Sequence, residues 1–319
     1  MSPPSLRGAP LGPAHTVAAV APSGPFPDDA LCAAAGRWEG RGRRVVRHLP
    51  ARPEGYLAGP DPDRARGLLA ALDDPSVGGL HAVRGGYGAS RVLEGWGEAL
   101  VTALQRRPVP VAGFSDVTAL HAAWWRAGVR SVHGIMLAAA GRALARPPEG
   151  AEGTEGEADD FEALAAVLEG SVPAPWEGLG VADGLGPGGA TEGLACGGNL
   201  TVLASLAGTP WFPRGPGIVW FLEDVGEAPY RIDRSLTQLR LAGAFADARA
   251  VVLGAFTDCP TRADGVAVEA ALGRGLGGLG VPVLTGGPFG HGGVHRPWVQ
   301  GARVRVEGGG VVRFLEGLS

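Results

Sequence analysis

Ser115 lies where a serine side chain could act as a nucleophile. The apolar run at residues 109–112 predicts a buried strand, and the apolar spacing over residues 116–127 predicts a helix, with Ser115 on the bend between them. The first N–H groups of a helix have no intrahelical partner, so they could hold the oxyanion formed when the serine attacks a carbonyl. Gly113 supplies the first glycine of a G-x-S-x-G elbow, but Val117 replaces the second. Capping of the helix by Ser115 is the competing interpretation.

A serine nucleophile needs a base to accept its proton and a third group to orient that base. Among the seven histidines, His291 lies in the most open glycine-rich segment, residues 285–293, where it has little packing to do. Glu223 directly follows an apolar strand predicted at residues 218–222, which would aim its carboxylate rigidly; a surface turn is the alternative. The chain order Ser115, Glu223, His291 is that of many hydrolases. The sequence therefore predicts a triad drawn from two distant parts of the chain.

The remaining histidines are weaker candidates. His133 follows a predicted strand and could line the cleft, while His295 lies in a less open segment than His291. His121 is six residues past Ser115 and therefore on another face of the same helix. The others lie in the N-terminal tail or in strands: His15, His48 and His81.

The glycine-rich segment at residues 84–91 follows a strand predicted at residues 79–83. Glycines permit positive φ and close approach of backbone N–H groups to a ligand, so this loop could supply a second oxyanion donor or hold a phosphate. It has neither a P-loop lysine nor the G-x-G-x-x-G pattern, which makes a nucleotide site a weak interpretation. A plain glycine turn stays open.

Strands alternate with helices through the first half of the chain, which predicts a parallel sheet covered by helices on both faces. Ligands bind such sheets at the carboxyl ends of the strands, where Ser115 lies. The predicted strands are residues 16–21 and 44–48, and the predicted helices are residues 28–41 and 63–72.

The chain divides by composition. Residues 146–160 are rich in proline, glycine and acidic residues, a composition typical of linkers. We predict a disordered tail over 1–14, an N-terminal domain with the nucleophile over 15–145, a linker over 146–190 and a C-terminal domain with the glutamate and histidine over 191–319. Predicted elements after the linker begins are helices at 161–168, 200–207 (capped by Asn199) and 229–241, strands at 250–254 and 281–284, and an antiparallel pair at 298–306 and 311–314.

The composition is that of a globular protein, with 45% hydrophobic and 19% charged residues over 319 positions. A net charge of −4 argues against a nucleic-acid partner or an anionic membrane surface. Three widely separated cysteines, Cys32, Cys196 and Cys259, indicate neither a disulfide framework nor a CxxC metal site. No HExxH pattern, signal peptide or membrane-spanning run is found, so we expect a cytoplasmic protein without metal or cofactor.

Five motifs resemble the LD-carboxypeptidases of serine peptidase family S66. They occur in the family's order and cover nearly the whole chain after the tail: RGGYG at 84–88, GFSDVTALH at 113–121, GGNL at 197–200, LEDVGEAPYRIDR at 222–234 and GH at 290–291. The resemblance implies an α/β protein, with an N-terminal parallel-sheet domain similar to class I glutamine amidotransferases and a C-terminal swivelling β/α domain. It also suggests a homodimer.

The resemblance implies a role for each candidate residue. Ser115 would be the nucleophile, His291 the general base and Glu223 the group that orients the imidazole, with the backbone N–H groups of Gly86 and Asp116 as oxyanion donors. The implied reaction hydrolyses the bond between the L-centre of a diamino acid and a C-terminal D-alanine, converting murein tetrapeptide to tripeptide in the cytoplasm.

An exopeptidase must also bind the free carboxylate of its substrate, for which a bidentate arginine is suited. The substrate-binding candidates are Arg84, Arg231, Arg234 and Asn199, although each arginine could equally form a structural ion pair. Glu227 is the rival acid, four residues after Glu223. The diamino acid, and whether the substrate is free or sugar-linked, are left open.

Three other functions compete with this one. The first is a peptidase similar to the microcin C immunity proteins, which act on peptidyl or aminoacyl adenylates. The second is a non-catalytic module that binds muropeptides. The third, a generic α/β-hydrolase esterase, is disfavoured because Val117 breaks its elbow.

Overall fold

The computed structural model describes residues 6–145, 154–183, 189–261 and 265–319. The first part of the chain alternates strands and helices. In order these are β1 (Thr16–Val20), α1 (Asp28–Gly40), β2 (Val45–His48), α2 (Asp61–Asp73), β3 (Val77–Ala82), α3 (Ala89–Arg106), β4 (Val111–Gly113), a 3₁₀ helix (Ser115–Val117), α4 (Thr118–Ala127), β5 (Ser131–His133), α5 (Leu137–Ala145) and α6 (Thr154–Leu168).

The second part forms the elements that carry the rest of the site. They are β6 (Gly180–Asp183), β7 (Ala190–Asn199), α7 (Leu200–Leu206), β8 (Ile218–Val225), α8 (Pro229–Leu241), β9 (Ala250–Thr257), α9 (Val268–Leu276), β10 (Val283–Thr285), β11 (Trp298–Gln300), β12 (Arg303–Glu307) and β13 (Val311–Phe314).

The first sheet has the strand order β2-β1-β3-β4-β5-β11. Its first five strands are parallel, and β11 runs antiparallel to β5. Every residue of β1, β3 and β4 is buried, because helices cover both faces. The predicted parallel α/β architecture is therefore confirmed, and Ser115 lies directly beyond the carboxyl end of β4.

The second sheet has the order β13-β12-β7-β8-β9-β10-β6. Its central strands β7 to β10 are parallel, while β6, β12 and β13 pair antiparallel at the edges. Strand β8 extends to Val225. Glu223 thus lies within the strand, and both the predicted end of the strand at residue 222 and the alternative of a surface turn are wrong.

The strand predicted over residues 298–306 is divided between the two sheets. Gly301 has φ +81° and turns the chain after β11, so β11 joins the first sheet and β12 joins the second. The side chain of Gln300 bonds both backbone groups of Gly197, accepting from N–H at 3.1 Å and donating to C=O at 2.8 Å. The two sheets are therefore linked next to β7.

Two predicted boundaries need correction. Of the tail predicted as disordered over 1–14, residues 6–14 pack on the first domain: Leu6 and Leu11 are buried, and Leu11 N–H donates to Leu168 C=O at 2.7 Å. Helix α6 begins at Thr154, not at residue 161, and its buried apolar residues from Phe161 onward pack in a core with residues of β1 and α1. Burial of a few leucines and one phenylalanine outweighs a composition that favours disorder. The predicted linker at residues 146–153 and 184–188 lies outside the described residues.

Helix α3 begins inside the glycine-rich segment, at Ala89, and was not predicted. Its buried residues follow helical spacing, and it packs between α2 and α4. Within the described ranges, no helix is both long and apolar enough to cross a membrane.

Candidate active site

Ser115 sits on a strained turn between β4 and α4. Its φ of 59° lies in the left-handed region, which costs a non-glycine residue about 1–2 kcal/mol. Gly113 has φ +155°, and a Cβ there would meet Ala82 and Val117 at 3.1 Å. The N-cap position of the 3₁₀ helix is Phe114 and that of α4 is Val117, so Ser115 caps neither helix and the capping interpretation is wrong.

The hydroxyl of Ser115 instead faces an imidazole. Ser115 Oγ–H donates to His291 Nε2 at 3.2 Å, and His291 Nδ1–H donates to Glu223 Oε2 at 2.7 Å. The three residues are brought together from the turn after β4, from β8 and from the loop after β10, across sequence separations of up to 176 residues. This hydrogen-bonded row has the geometry that a serine nucleophile, a base and an orienting acid require.

Glu223 is fully buried, and this burial raises the pKa of its carboxyl group, while the hydrogen bond from His291 acts in the opposite direction. His291 keeps 20% of its side chain exposed, so it can reach a substrate while its other edge holds the acid. A buried carboxylate with one imidazole partner fixes both the tautomer and the orientation of that ring.

The neighbouring Asp224 holds the strand ends in place. Its carboxylate accepts hydrogen bonds from Asn199 Nδ2 at 2.9 Å and from Thr201 Oγ1 at 2.7 Å. Asn199 Oδ1 accepts from Val202 N–H at 3.1 Å, which confirms the predicted cap of α7. Both polar atoms of the Asn199 side chain are therefore used within the fold.

The glycine-rich loop packs directly against the nucleophile. A Cβ on Gly85 would lie 3.0 Å from Ser115 Cβ and 3.1 Å from its Oγ, and the following Gly86 has φ +107°. Asp116 is the second residue of the 3₁₀ helix, where a backbone N–H lacks an intrahelical partner. Both predicted oxyanion donors thus belong to segments that border Ser115.

Phe114 and His295 support the base, and sequence reasoning missed both roles. The Phe114 ring centroid lies 4.8 Å from that of His291 and 4.2 Å from that of His295. His295 Nδ1–H donates to Gly290 C=O at 2.7 Å, one residue before His291. The available signal in the sequence was proximity: Phe114 directly precedes Ser115, and His295 follows His291 by four residues.

Two further histidines, His121 and His133, lie behind the site as neutral core residues, and His295 is buried beside His133. His133 is fully buried and its Nδ1 lies 3.3 Å from His295 Nε2, so it does not line the cleft as predicted. Burial lowers the pKa of His121 and of His295 to about 4 and holds the pKa of His133 well below its ordinary value.

Two family models together cover most of the chain. The model of the LD-carboxypeptidase N-terminal domain matches residues 17–134, and that of the LD-carboxypeptidase C-terminal domain matches residues 192–306. The chain belongs to the LD-carboxypeptidase family, peptidase family S66. It is accordingly a hydrolase of the carboxypeptidase class.

Relatives of known name support this assignment. The chain is 35% identical over 298 residues to the murein tetrapeptide carboxypeptidase of Pseudomonas aeruginosa, covering 92% of this chain and 93% of that protein. It is similar to the crystal structure of muramoyltetrapeptide carboxypeptidase from Oxalobacter formigenes, with TM-score 0.77, 31% identity and coverage of 93% and 97%. The microcin C7 self-immunity protein MccF shares the fold, with TM-score 0.82 at 20% identity and coverage of 98% and 99%.

The LD-carboxypeptidase motif around Glu223 contains a second acid, and the structure separates the two. Glu227 lies just before α8, and its carboxylate is 3.8 Å from the guanidinium of the exposed Arg231. Glu223, not Glu227, contacts the imidazole of His291.

The candidate arginines lie on exposed loops and on α8. Arg84 donates to Pro25 C=O. Arg231 Nε lies 3.2 Å from Tyr230 Oη, and the Arg234 guanidinium lies 5.9 Å from the Tyr230 ring centroid. These contacts leave the assignment of a carboxylate-binding arginine as a prediction.

A cavity of about 170 Å³ lies beside His291 and is lined by Phe114, Ile135, Asp160 and His295 among others. Within the described residues, no three His, Cys, Asp or Glu side chains cluster as metal ligands would.

Proposed function

We propose that this chain is a serine LD-carboxypeptidase that releases the C-terminal D-alanine of murein tetrapeptide, independently of any metal or cofactor. The observation that carries the proposal is the unbroken hydrogen-bonded row from Ser115 Oγ through His291 to buried Glu223. Relatives named for murein tetrapeptide support the substrate. We place the reaction in cytoplasmic peptidoglycan recycling, carried out by a homodimer.

In the first half-reaction, Ser115 Oγ attacks the carbonyl carbon of the diamino acid while its proton passes to His291 Nε2. The resulting imidazolium is stabilised by the carboxylate of Glu223 at 2.7 Å. The negative charge that develops on the carbonyl oxygen is bound by the N–H groups of Gly86 and Asp116, which lie on the two segments bordering the serine.

The tetrahedral intermediate then collapses. The C–N bond breaks as His291 Nε2–H donates its proton to the leaving amine of D-alanine, and an acyl ester remains on Ser115 Oγ. In the second half-reaction His291 removes a proton from water, which attacks the ester carbonyl. Breakage of the C–O bond, with return of the proton to Ser115, releases the tripeptide.

A carboxypeptidase requires its scissile bond to lie next to a free carboxylate. Arg84, Arg231 or Arg234 would bind this carboxylate on the departing D-alanine. Asn199 would contact the substrate from the start of α7, where Val202 N–H and Asp224 hold its side chain.

The test is release of D-alanine from purified murein tetrapeptide, in the presence of a chelator, beside the epimer that ends in L-alanine. We expect release from the first peptide only. Hydrolysis of a peptidyl or aminoacyl adenylate but not of the tetrapeptide would favour the activity suggested by the shared fold of MccF. Tight binding of the peptide by the folded chain without hydrolysis would favour a muropeptide-binding module.

A further inference from the structure

Arg64 is a fully buried arginine whose guanidinium joins three loops at the active-site edge of the first sheet. Its Nε donates to Gly59 C=O at 3.0 Å, before α2, and its Nη1 donates to Gly88 C=O at 2.8 Å, after β3. The same Nη1 also donates to Pro22 C=O, after β1, and Nη2 pairs with Asp61. A charged group is buried here only because each of its faces is bonded.

The carboxylate of Asp116 reaches the same glycine-rich loop from the other side. It is 3% exposed and accepts a hydrogen bond from Ala89 N–H at 2.8 Å. Gly88 C=O and Ala89 N–H are the two ends of a single peptide unit. Arg64 therefore holds the oxygen of this peptide and Asp116 holds its nitrogen.

The clamped peptide is connected to both proposed oxyanion donors. Gly86 is two residues before it, and the second donor is the backbone N–H of Asp116 itself. A side chain at Gly88 would collide with Arg64 Nη1 at 2.7 Å, so the loop and the guanidinium are closely fitted. The loop is also held by Gly24 N–H, which donates to Gly85 C=O at 2.9 Å.

We propose that Arg64 and Asp116 are positioning residues that fix the spacing of the two oxyanion donors by clamping the Gly88–Ala89 peptide. This inference rests on the proposed function. Donors stabilise a tetrahedral oxyanion only within about 2.7–3.1 Å of the position that it will occupy. Loosening the clamp therefore weakens transition-state binding more than ground-state binding.

Arg107 provides a matched control, because it makes the same kind of contacts at the other end of the same sheet. Its guanidinium donates to the carbonyls of Leu72 at 2.6 Å and Asp74 at 2.7 Å, and also to that of Val77 at the start of β3. Replacing Arg107 removes hydrogen bonds to backbone carbonyls as replacing Arg64 does, but it leaves the contacts of the glycine-rich loop unchanged.

The experiment compares Arg64→Lys with Arg107→Lys by kcat and KM for D-alanine release, by the rate at which a fluorophosphonate labels Ser115, and by thermal unfolding. We expect both variants to unfold at lower temperature. Only Arg64→Lys should lower kcat, by about 10- to 100-fold with KM within about twofold, and slow labelling by a similar factor. Equal kcat in the two variants, corrected for folded fraction, would overturn the proposal.

Asp116 variants supply an independent arm. Asp116→Asn keeps an oxygen that can accept from Ala89 N–H, so it should retain more than about a tenth of wild-type kcat, whereas Asp116→Ala should fall below about a hundredth. Equal losses in the two would count against the clamp. If wild type is labelled but releases no D-alanine, the proposed murein substrate is wrong, and the labelling rates of the variants still test the clamp. If the folded wild type is not labelled at all, both the proposed function and the clamp are overturned.

Discussion

The proposed nucleophile, Ser115, and the proposed base, His291, are held in different ways. Ser115 is fixed by elements that follow one another in the chain, β4, the 3₁₀ helix and α4. His291 lies in the segment between β10 and β11, outside regular structure, and is held by contacts with distant residues, Glu223 and Phe114. The nucleophile's geometry is therefore local, whereas that of the base depends on the packing of the whole molecule.

The surroundings of Ser115 and of His291 nevertheless share one feature. In each, a neutral buried histidine donates a hydrogen bond to a backbone carbonyl near the proposed catalytic residue. His121 Nε2–H donates to Gly113 C=O at 2.9 Å, two residues before Ser115, and His295 Nδ1–H donates to Gly290 C=O at 2.7 Å. The contrast between the two sides predicts that substitutions at the nucleophile alter activity without unfolding the protein, while substitutions around the base disturb its alignment.

The largest expected effect is at Ser115. We expect Ser115→Gly to lower kcat by at least about 10⁴-fold while leaving the free energy of unfolding unchanged or raising it by up to about 1 kcal/mol, because glycine tolerates φ of 59°. The measurements are D-alanine release and denaturant unfolding. Destabilisation by more than about 1 kcal/mol would contradict a strained, locally built nucleophile turn.

Glu223→Gln should have the next largest effect. The amide that replaces the carboxylate has no negative charge to stabilise the imidazolium, and its NH2 group can face His291 Nδ1 and favour the wrong tautomer, so kcat should fall by about 10³- to 10⁴-fold. The control is Glu227→Gln, which removes only a partly exposed contact with Arg231 and should retain wild-type kcat. Equal losses in the two variants would show that the acid has been misassigned.

The pH dependence of stability tests the buried histidine behind the nucleophile. The pKa of His121 is about 4 in the folded protein and about 6.5 in the unfolded chain. Its contribution to the free energy of unfolding is therefore complete above pH 6.5 and is lost as pH falls toward 4. Between pH 7 and pH 5 the free energy of unfolding of His121→Gln should therefore fall by about 2 kcal/mol less than that of wild type. Denaturant titrations at both pH values measure this, and identical changes would refute it.

His295→Gln sharpens the contrast between the sides with a smaller effect. Loss of a well-placed donor to Gly290 C=O should loosen the segment between β10 and β11 that carries His291, and lower kcat by about tenfold. His121→Gln, the matched change behind the nucleophile, should lower kcat by less because β4 and α4 still fix Ser115. Steady-state kinetics of the two variants decide the point, and a larger loss in His121→Gln would reverse the proposed contrast.

Sequence patterns predicted the parts of the molecule that depend on local order. The alternation of strands and helices, the Asn199 cap and helix α8 over residues 229–241 all follow from periodicity and short-range signals. The row formed by Ser115, Glu223 and His291 could be named from motifs and chain order, although its distances could not.

Other features depend on contacts that no local pattern contains. The split of residues 298–306 between two sheets is decided by the pairing of Trp298 with His133, and the order of residues 6–14 by burial of two leucines. Arg64 resembles any surface arginine of an amphipathic helix in sequence. Its role follows only from the three carbonyls that meet it in the folded chain.

Trapping the acyl-enzyme with hydroxylamine tests the central claim most directly. If Ser115 forms an ester during turnover of murein tetrapeptide, hydroxylamine will intercept it, and the tripeptide hydroxamate will increase with hydroxylamine concentration at the expense of the free tripeptide. We predict hydroxamate from wild type and none from Ser115→Ala. Release of D-alanine by wild type with only free tripeptide at every hydroxylamine concentration would contradict a serine mechanism.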